Sequence, residues 1–132
     1  MSHEVITITD PVSGATAKVA PSLGFNCFSF QTQHNGQALE TLWAADNFCA
    51  GTERPSGSGI PLLFPFPGRI RGQRFSFQGQ TYNLPGDDGR GNAIHGFVLN
   101  RPWQVAEQTV SRVTGVFHAA QVDPQILSHW PA

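Results

Sequence analysis

The chain has 132 residues, of which only 13% are charged, and a formal net charge of −1. So sparse and balanced a charge leaves no electrostatic footprint for nucleic acid or an anionic membrane surface, and makes a neutral partner the default. An apolar fraction of 39%, with ten Phe and three Trp, is enough for the core of one ordinary domain, read here as residues 1–132.

Met1-Ser2-His3-Glu4 leads straight into a strand-like segment without the basic and apolar regions of a secretion signal. The longest uncharged apolar run, Ile60 to Phe66, is cut by Pro61 and Pro65 and falls far short of the ~20 residues a membrane helix needs. A cytoplasmic protein with no membrane span is therefore expected, with Cys27 and Cys49 as reduced thiols. The five histidines are scattered and no CxxC or HxxxH spacing occurs, so neither a metal site nor a cofactor is expected.

Val5 to Thr9 is β-branched throughout, and beyond Asp10-Pro11-Val12-Ser13-Gly14 the segment Ala15 to Val19 reads as its return strand. Phe28 and Phe30 lie two apart in a strand that runs to Gln33, and His34-Asn35-Gly36 supplies residues that tolerate positive φ in a tight turn. Leu39 to Trp43 is the expected partner strand. Between Cys49 and Gly72, repeated Gly and Pro forbid a helix and predict a structured loop. Arg74 to Phe77 and Thr81 to Leu84 form a further hairpin, with Phe75 and Phe77 on one face, and a second loop spans Pro85 to Asn92. Trp103 to Val105 and Val113 to Ala119 add short strands, and no amphipathic helix is visible. Many short strands between Gly and Pro turns predict an all-β sandwich or barrel-like sheet.

Loops on such a scaffold are where ligand sites concentrate. His95, followed by Gly96, can donate to a substrate oxygen or pass a proton near neutral pH, or it can simply hold a turn. Arg69, after Gly68, has the planar fork that grips two neighbouring oxygens of a carboxylate, a phosphate or a vicinal diol. Arg71 and Arg74 read more naturally as solvated charges at a strand edge. Asp87-Asp88 lacks the alternating ligands of a calcium loop and reads as a solvated turn. Phe75, Phe77, Tyr82 and Trp103 could stack on a sugar face, although aromatics in strands are usually core.

Three ordered blocks carry the reading further. Ser58-Gly59-Ile60-Pro61-Leu62-Leu63-Phe64-Pro65-Phe66-Pro67-Gly68-Arg69-Ile70, Phe75 to Leu84, and Asn92-Ala93-Ile94-His95-Gly96-Phe97-Val98 resemble the aldose 1-epimerase (galactose mutarotase) family in order and spacing. The resemblance implies a galactose mutarotase-like β-sandwich, here its N-terminal portion, that interconverts the α and β anomers of aldohexoses. It implies His95 as a catalytic group near the ring oxygen, and Arg69 and Asn92 as substrate-binding residues. Gly68 is a departure, since many relatives carry Asn before the arginine. Relatives are also more than twice as long, and their second histidine, substrate-gripping aspartate and glutamate base would follow Ala132. A chain lacking that base is expected to be weakly active or inactive alone, and to self-associate through uncovered sheet edges. Two alternatives stay open: a non-catalytic carbohydrate-binding or regulatory module, and a hexose-6-phosphate epimerase using Arg71 and Arg74 as a phosphate grip.

Overall fold

A computed structural model describes residues 3–131; Met1 and Ser2, read above for a leader, and Ala132 lie outside the described residues. The described residues form two compact units, one of residues 3–62 and 99–117, the other of residues 63–98 and 118–131.

The first unit is built on an antiparallel sheet in the order β1-β2-β3-β4, with β1 Ile6–Thr9, β2 Thr16–Ala20, β3 Asn26–His34 and β4 Gln37–Glu40. Its first hairpin forms as expected because β-branched side chains favour extended backbone and Asp10 closes the turn, its carboxylate accepting from the backbone N–H groups of Val12 and Ser13 at 3.1 Å each. The β3–β4 turn uses Asn35 at φ 50° and Gly36 at φ 75°, the two consecutive positive values that suit a two-residue hairpin.

That turn also corrects the expected partner strand. A two-residue connection pairs His34 with Gln37, so β4 starts at Gln37 rather than Leu39. It stops at Glu40, whose carboxylate takes the N–H groups of Phe30 at 2.8 Å and Leu42 at 3.0 Å and so replaces the ladder; Trp43 is left 72% exposed. Beneath the sheet, Ala20, Leu23 and Phe48 form a buried cluster joined by Phe28, Ala44 and Cys49. Burying one aromatic of the size of Phe48 contributes about 2 kcal/mol. Strands β9 Gln104–Gln108 and β10 Val113–Val116 pair antiparallel, and Trp103 packs between Phe25 and Phe117 at centroid distances of 5.7 and 5.4 Å. Trp103 is thus half-buried between two rings here.

The second unit has two ladders, β5 Arg69–Arg71 with β8 Asn92–Ile94, and β6 Arg74–Phe77 with β7 Gln80–Asn83. The Pro-rich loop therefore ends earlier than expected, at Gly68, because the three residues after it find a partner in the motif around His95. Its core is aromatic. Phe75 stacks on its cross-strand partner Tyr82 at 5.2 Å, and Trp130 meets Phe75 at 4.8 Å and Phe66 at 5.6 Å. Phe77, two residues along the same strand and opposite Gln80, is 47% exposed.

Two single-turn helices, α1 Ala119–Val122 and α2 Ile126–His129, were not expected. Four residues are too few for an apolar period to register in sequence; α2 is held by its neighbours instead, with Ile126 7% exposed and the His129 Nδ1 donating to the Asn83 carbonyl at 2.6 Å. Among the described residues no helix is long and apolar enough to cross a membrane.

Candidate functional site

The second unit brings Arg69, Asn92 and His95 to one two-stranded ladder. Arg69 pairs with Ile94, Ile70 with Ala93 and Arg71 with Asn92. Since opposed residues share a face, Arg69, Arg71, Asn92 and Ile94 lie on one side, while Ile70 and the fully buried Ala93 lie on the other. Ala is what fits at 93, where the side chain has no exposure at all.

The ladder continues past the strands. His95 N–H donates to the Gly68 carbonyl at 2.9 Å, and Gly68 N–H donates back to His95 Nδ1 at 3.2 Å. Because Nδ1 accepts, the neutral imidazole carries its proton on Nε2, which makes that nitrogen a donor. His95 is held at φ 63°, a left-handed conformation in which histidine is found more often than most side chains. Gly96, next to it, is at φ 70°, and a Cβ there would lie 2.0 Å from the Phe64 carbonyl oxygen. Phe97 N–H donates to that same oxygen at 2.8 Å, and the Phe97 ring is buried. Ala93, His95, Gly96 and Phe97 therefore each have a structural reason for their place in this stretch.

Asp88 is the residue that sequence reasoning missed. Asp87 behaves as expected of a turn, its Oδ1 accepting from Gly89 N–H at 2.8 Å and Gly91 N–H at 3.0 Å. Asp88 does not: its side chain is 1% exposed, and its Oδ2 accepts from Arg69 Nε at 2.6 Å and from Asn92 Nδ2 at 3.1 Å. Its Oδ1 takes the N–H groups of Arg90 at 2.9 Å and Asn92 at 3.1 Å. The Asn92 amide, with help from the Arg69 guanidinium and the two backbone donors and against the cost of desolvation, holds this carboxyl well below the usual carboxylate range. The available signal was the spacing Asp88-x-x-x-Asn92 across a glycine-flanked turn, which lets one carboxylate reach both the amide and the N–H of the residue four places on.

The ladder carries a guanidinium whose side chain is 53% exposed, together with an amide and an imidazole, group types whose chemistry suits hydroxyls. Among the described residues no group of three His, Cys, Asp or Glu is placed to hold a metal ion. A surface cleft of about 260 Å³, lined by Ile8, Asp10, Phe30 and Ser111 among others, belongs to the first unit and holds none of these residues.

Comparison with known proteins bears on what this ladder belongs to. The family model for aldose 1-epimerase matches residues 4–131. Over 54 residues, 40% of this chain and 18% of the relative, the sequence is 41% identical to the uncharacterized protein YihR of Escherichia coli. The structure resembles the Slr1438 protein from Synechocystis with a TM-score of 0.73 at 24% identity, over 99% of this chain and 41% of that one. It resembles the GalM/aldose epimerase homologue from C. elegans with a TM-score of 0.69 at 20% identity, over 91% and 38% respectively. A galactose mutarotase-like protein from Clostridium acetobutylicum gives a TM-score of 0.68 at 23% identity, over 92% and 42%. The chain thus spans about 41% of the length of the first of these structures. These likenesses give the fold as the all-β, galactose mutarotase-like sandwich, of which the chain is a portion. By the match across nearly its whole length, the chain belongs to the aldose 1-epimerase family.

Proposed function

We propose that this chain supplies the sugar-gripping part of an aldose 1-epimerase site, and that the protein it represents interconverts the α and β anomers of a free aldohexose. The observation that supports the reading is that Arg69 and His95 stand on one short ladder, Arg69 opposite Ile94 and His95 bonded to Gly68, whose N–H donates to His95 Nδ1.

In anomer exchange a base takes the O1 proton, the carbonyl forms at C1, the bond from C1 to the ring oxygen breaks, and that oxygen takes a proton from an acid. Rotation about the C1–C2 bond and the reverse sequence give the other anomer. His95, with its proton on Nε2, is the group suited to the ring oxygen. Arg69 grips two adjacent hydroxyls, and Asn92 lends its carbonyl oxygen to a third. Asp88 does not serve as the base, because all four of its hydrogen bonds are made within the protein.

That last observation favours a second reading for these residues alone, a carbohydrate-binding module that holds the sugar without exchanging its anomers. Polarimetry separates the two. Freshly dissolved α-glucose or α-galactose is followed to anomeric equilibrium with the chain, with His95→Ala and with buffer. Acceleration abolished by His95→Ala supports the isomerase. Sugar binding seen by NMR without acceleration supports the module, and neither binding nor acceleration refutes both.

A further inference from the structure

We propose that Asp88 is a positioning residue of the sugar site: its carboxylate joins Arg69 to Asn92 and fixes the Arg69 guanidinium, by its Nε edge, before any sugar arrives. The proposal rests on the sugar-site reading above and deepens it by assigning a residue that touches no sugar.

The geometry argues for positioning over a plain surface ion pair. An exposed pair tumbles and gains little. Here the acid's side chain is 1% exposed while the arginine's is 53% exposed, so the acid is the fixed member and the cation is the presented one. Both carboxylate oxygens are saturated. Oδ1 is tied to the backbone of its own loop through Arg90 and Asn92, and only Oδ2 reaches outward, to Arg69 Nε and Asn92 Nδ2.

The backbone makes the same point. Asp88 N–H donates to the Asn92 carbonyl at 3.0 Å, so the loop is closed on itself where the acid sits. Asp87 closes the remaining N–H groups at Gly89 and Gly91 and does not touch Arg69. Among the described residues no hydrogen bond is made to either terminal amine of Arg69, so both stay open for the two oxygens of a diol. A long side chain otherwise free to sample many rotamers is thereby held in one, which is what preorganisation for a neutral, weakly attracting ligand requires.

Two readouts test this together. The first needs no sugar: ¹⁵N relaxation of the Arg69 Nε–H group in the unaltered chain, in Asp88→Asn and in Asp87→Asn. Ordering is expected to be high in the unaltered chain and in Asp87→Asn, and lost in Asp88→Asn. The second is NMR titration with glucose and galactose, where Asp88→Asn is expected to bind about tenfold more weakly. Against an Arg69→Ala background the same change is expected to cost almost nothing, since a residue that acts through Arg69 has nothing left to position. A residue that serves only the fold would keep its full cost in that background. If Asp88→Asn disturbs the backbone amide spectrum beyond its loop, the unaltered chain is read by itself: an Arg69 Nε–H group as ordered as the backbone around it is expected, and a mobile one overturns the role of Asp88. Unchanged Arg69 ordering in Asp88→Asn, or unchanged sugar affinity beside a wild-type chain that binds, overturns the role of Asp88 alone. Failure of the unaltered chain to bind either sugar overturns the sugar-site reading, and the role of Asp88 with it.

Discussion

Gly68 and His95 are joined twice, by His95 N–H to the Gly68 carbonyl at 2.9 Å and by Gly68 N–H to His95 Nδ1 at 3.2 Å. Gly68 stands at φ 68°, and a Cβ added there would meet nothing within 4 Å. The demand at this position is therefore one of backbone conformation and not of space. Gly68→Ala is expected to lower stability by about 1 kcal/mol, the cost of a left-handed alanine, while Gly68→Asn, which tolerates that conformation, stays close to wild type. Urea midpoints of the three proteins check this. Equal losses for Ala and Asn would show that the side chain, and not φ, matters.

The same residue shows how far sequence reading reaches. The apparent departure from relatives with Asn before the arginine dissolves once φ is known, because Gly and Asn are the residues that occupy such a conformation readily. Local chemistry was legible wherever it was local. The Asp10 turn, the Asn35-Gly36 turn and the β-branched β1 each follow from a few adjacent residues. What escaped depends on partners distant in sequence or on elements too short for a period. Strand β5 exists because β8 lies beside it, and α1 and α2 have four residues each. Asp88 was misread for the same reason: its neighbours in sequence are those of a solvated turn, but its partner Arg69 is nineteen residues away.

Asn26 is the largest fully buried side chain, at 0% exposure, and its amide is satisfied from both ends. Its Oδ1 accepts from Ile60 N–H at 3.1 Å and its Nδ2 donates to the Ser58 carbonyl at 3.0 Å, tying β3 to the segment leading into the Pro-rich loop. Asn26→Ala leaves the Ser58 carbonyl without its amide donor and a void at a fully buried position, while Ile60 N–H keeps the Cys27 carbonyl at 2.9 Å, and is expected to cost about 2 kcal/mol. Gly59→Ala is expected to be at least as severe, since its Cβ would lie 2.3 Å from Asn26 Oδ1 and 2.5 Å from the Cys27 carbonyl oxygen. Chemical denaturation measures both, and a loss under half that size for Asn26→Ala would mean that water enters and replaces the lost bonds.

Trp130 meets three rings of the second unit, Phe75 at 4.8 Å, Phe66 at 5.6 Å and Phe97 at 6.3 Å. Replacing it by Ala removes aromatic contacts and leaves a void beside Phe75, with an expected cost of about 3 kcal/mol; Trp130→Phe keeps most of the contact and costs less. Thermal unfolding followed by near-ultraviolet circular dichroism of the two variants distinguishes a packing role from a peripheral one, in which both changes would be silent.

Strand β4 is the edge of its sheet, and all four of its residues are exposed. Leu39 on that edge is 51% exposed and Trp43 just beyond it 72%. An uncovered edge with apolar side chains invites strand pairing between copies, so self-association is expected at concentrations of about 100 μM. Leu39→Lys, which puts a charge on the edge, is expected to restore monomer in sedimentation velocity. A wild-type chain that stays monomeric and unfolds cooperatively at that concentration would refute the expectation.

Glu40 contributes to the acid sensitivity of the first unit. Its Oε2 accepts from the Ser29 hydroxyl at 2.5 Å and its Oε1 from the Leu42 and Phe30 N–H groups at 3.0 and 2.8 Å. These bonds, the Ser29 hydroxyl foremost, hold its pKa at about 2 against an ordinary 4.5. A carboxylate whose pKa is lower folded than unfolded stabilises the fold fully above the unfolded value, and that contribution is lost as the pH falls through the folded one. Its share is therefore present above pH 4.5 and gone near pH 2. Asp10, lowered by the Ser13 hydroxyl, and Asp88 act in the same direction, so the wild-type chain loses stability across this range for more than one reason. Glu40→Gln isolates one of them. Urea midpoints of wild type and Glu40→Gln should differ most near neutral pH and converge as the acid limit is approached. A difference that stays constant with pH would assign the role of Glu40 to its shape and not to its charge.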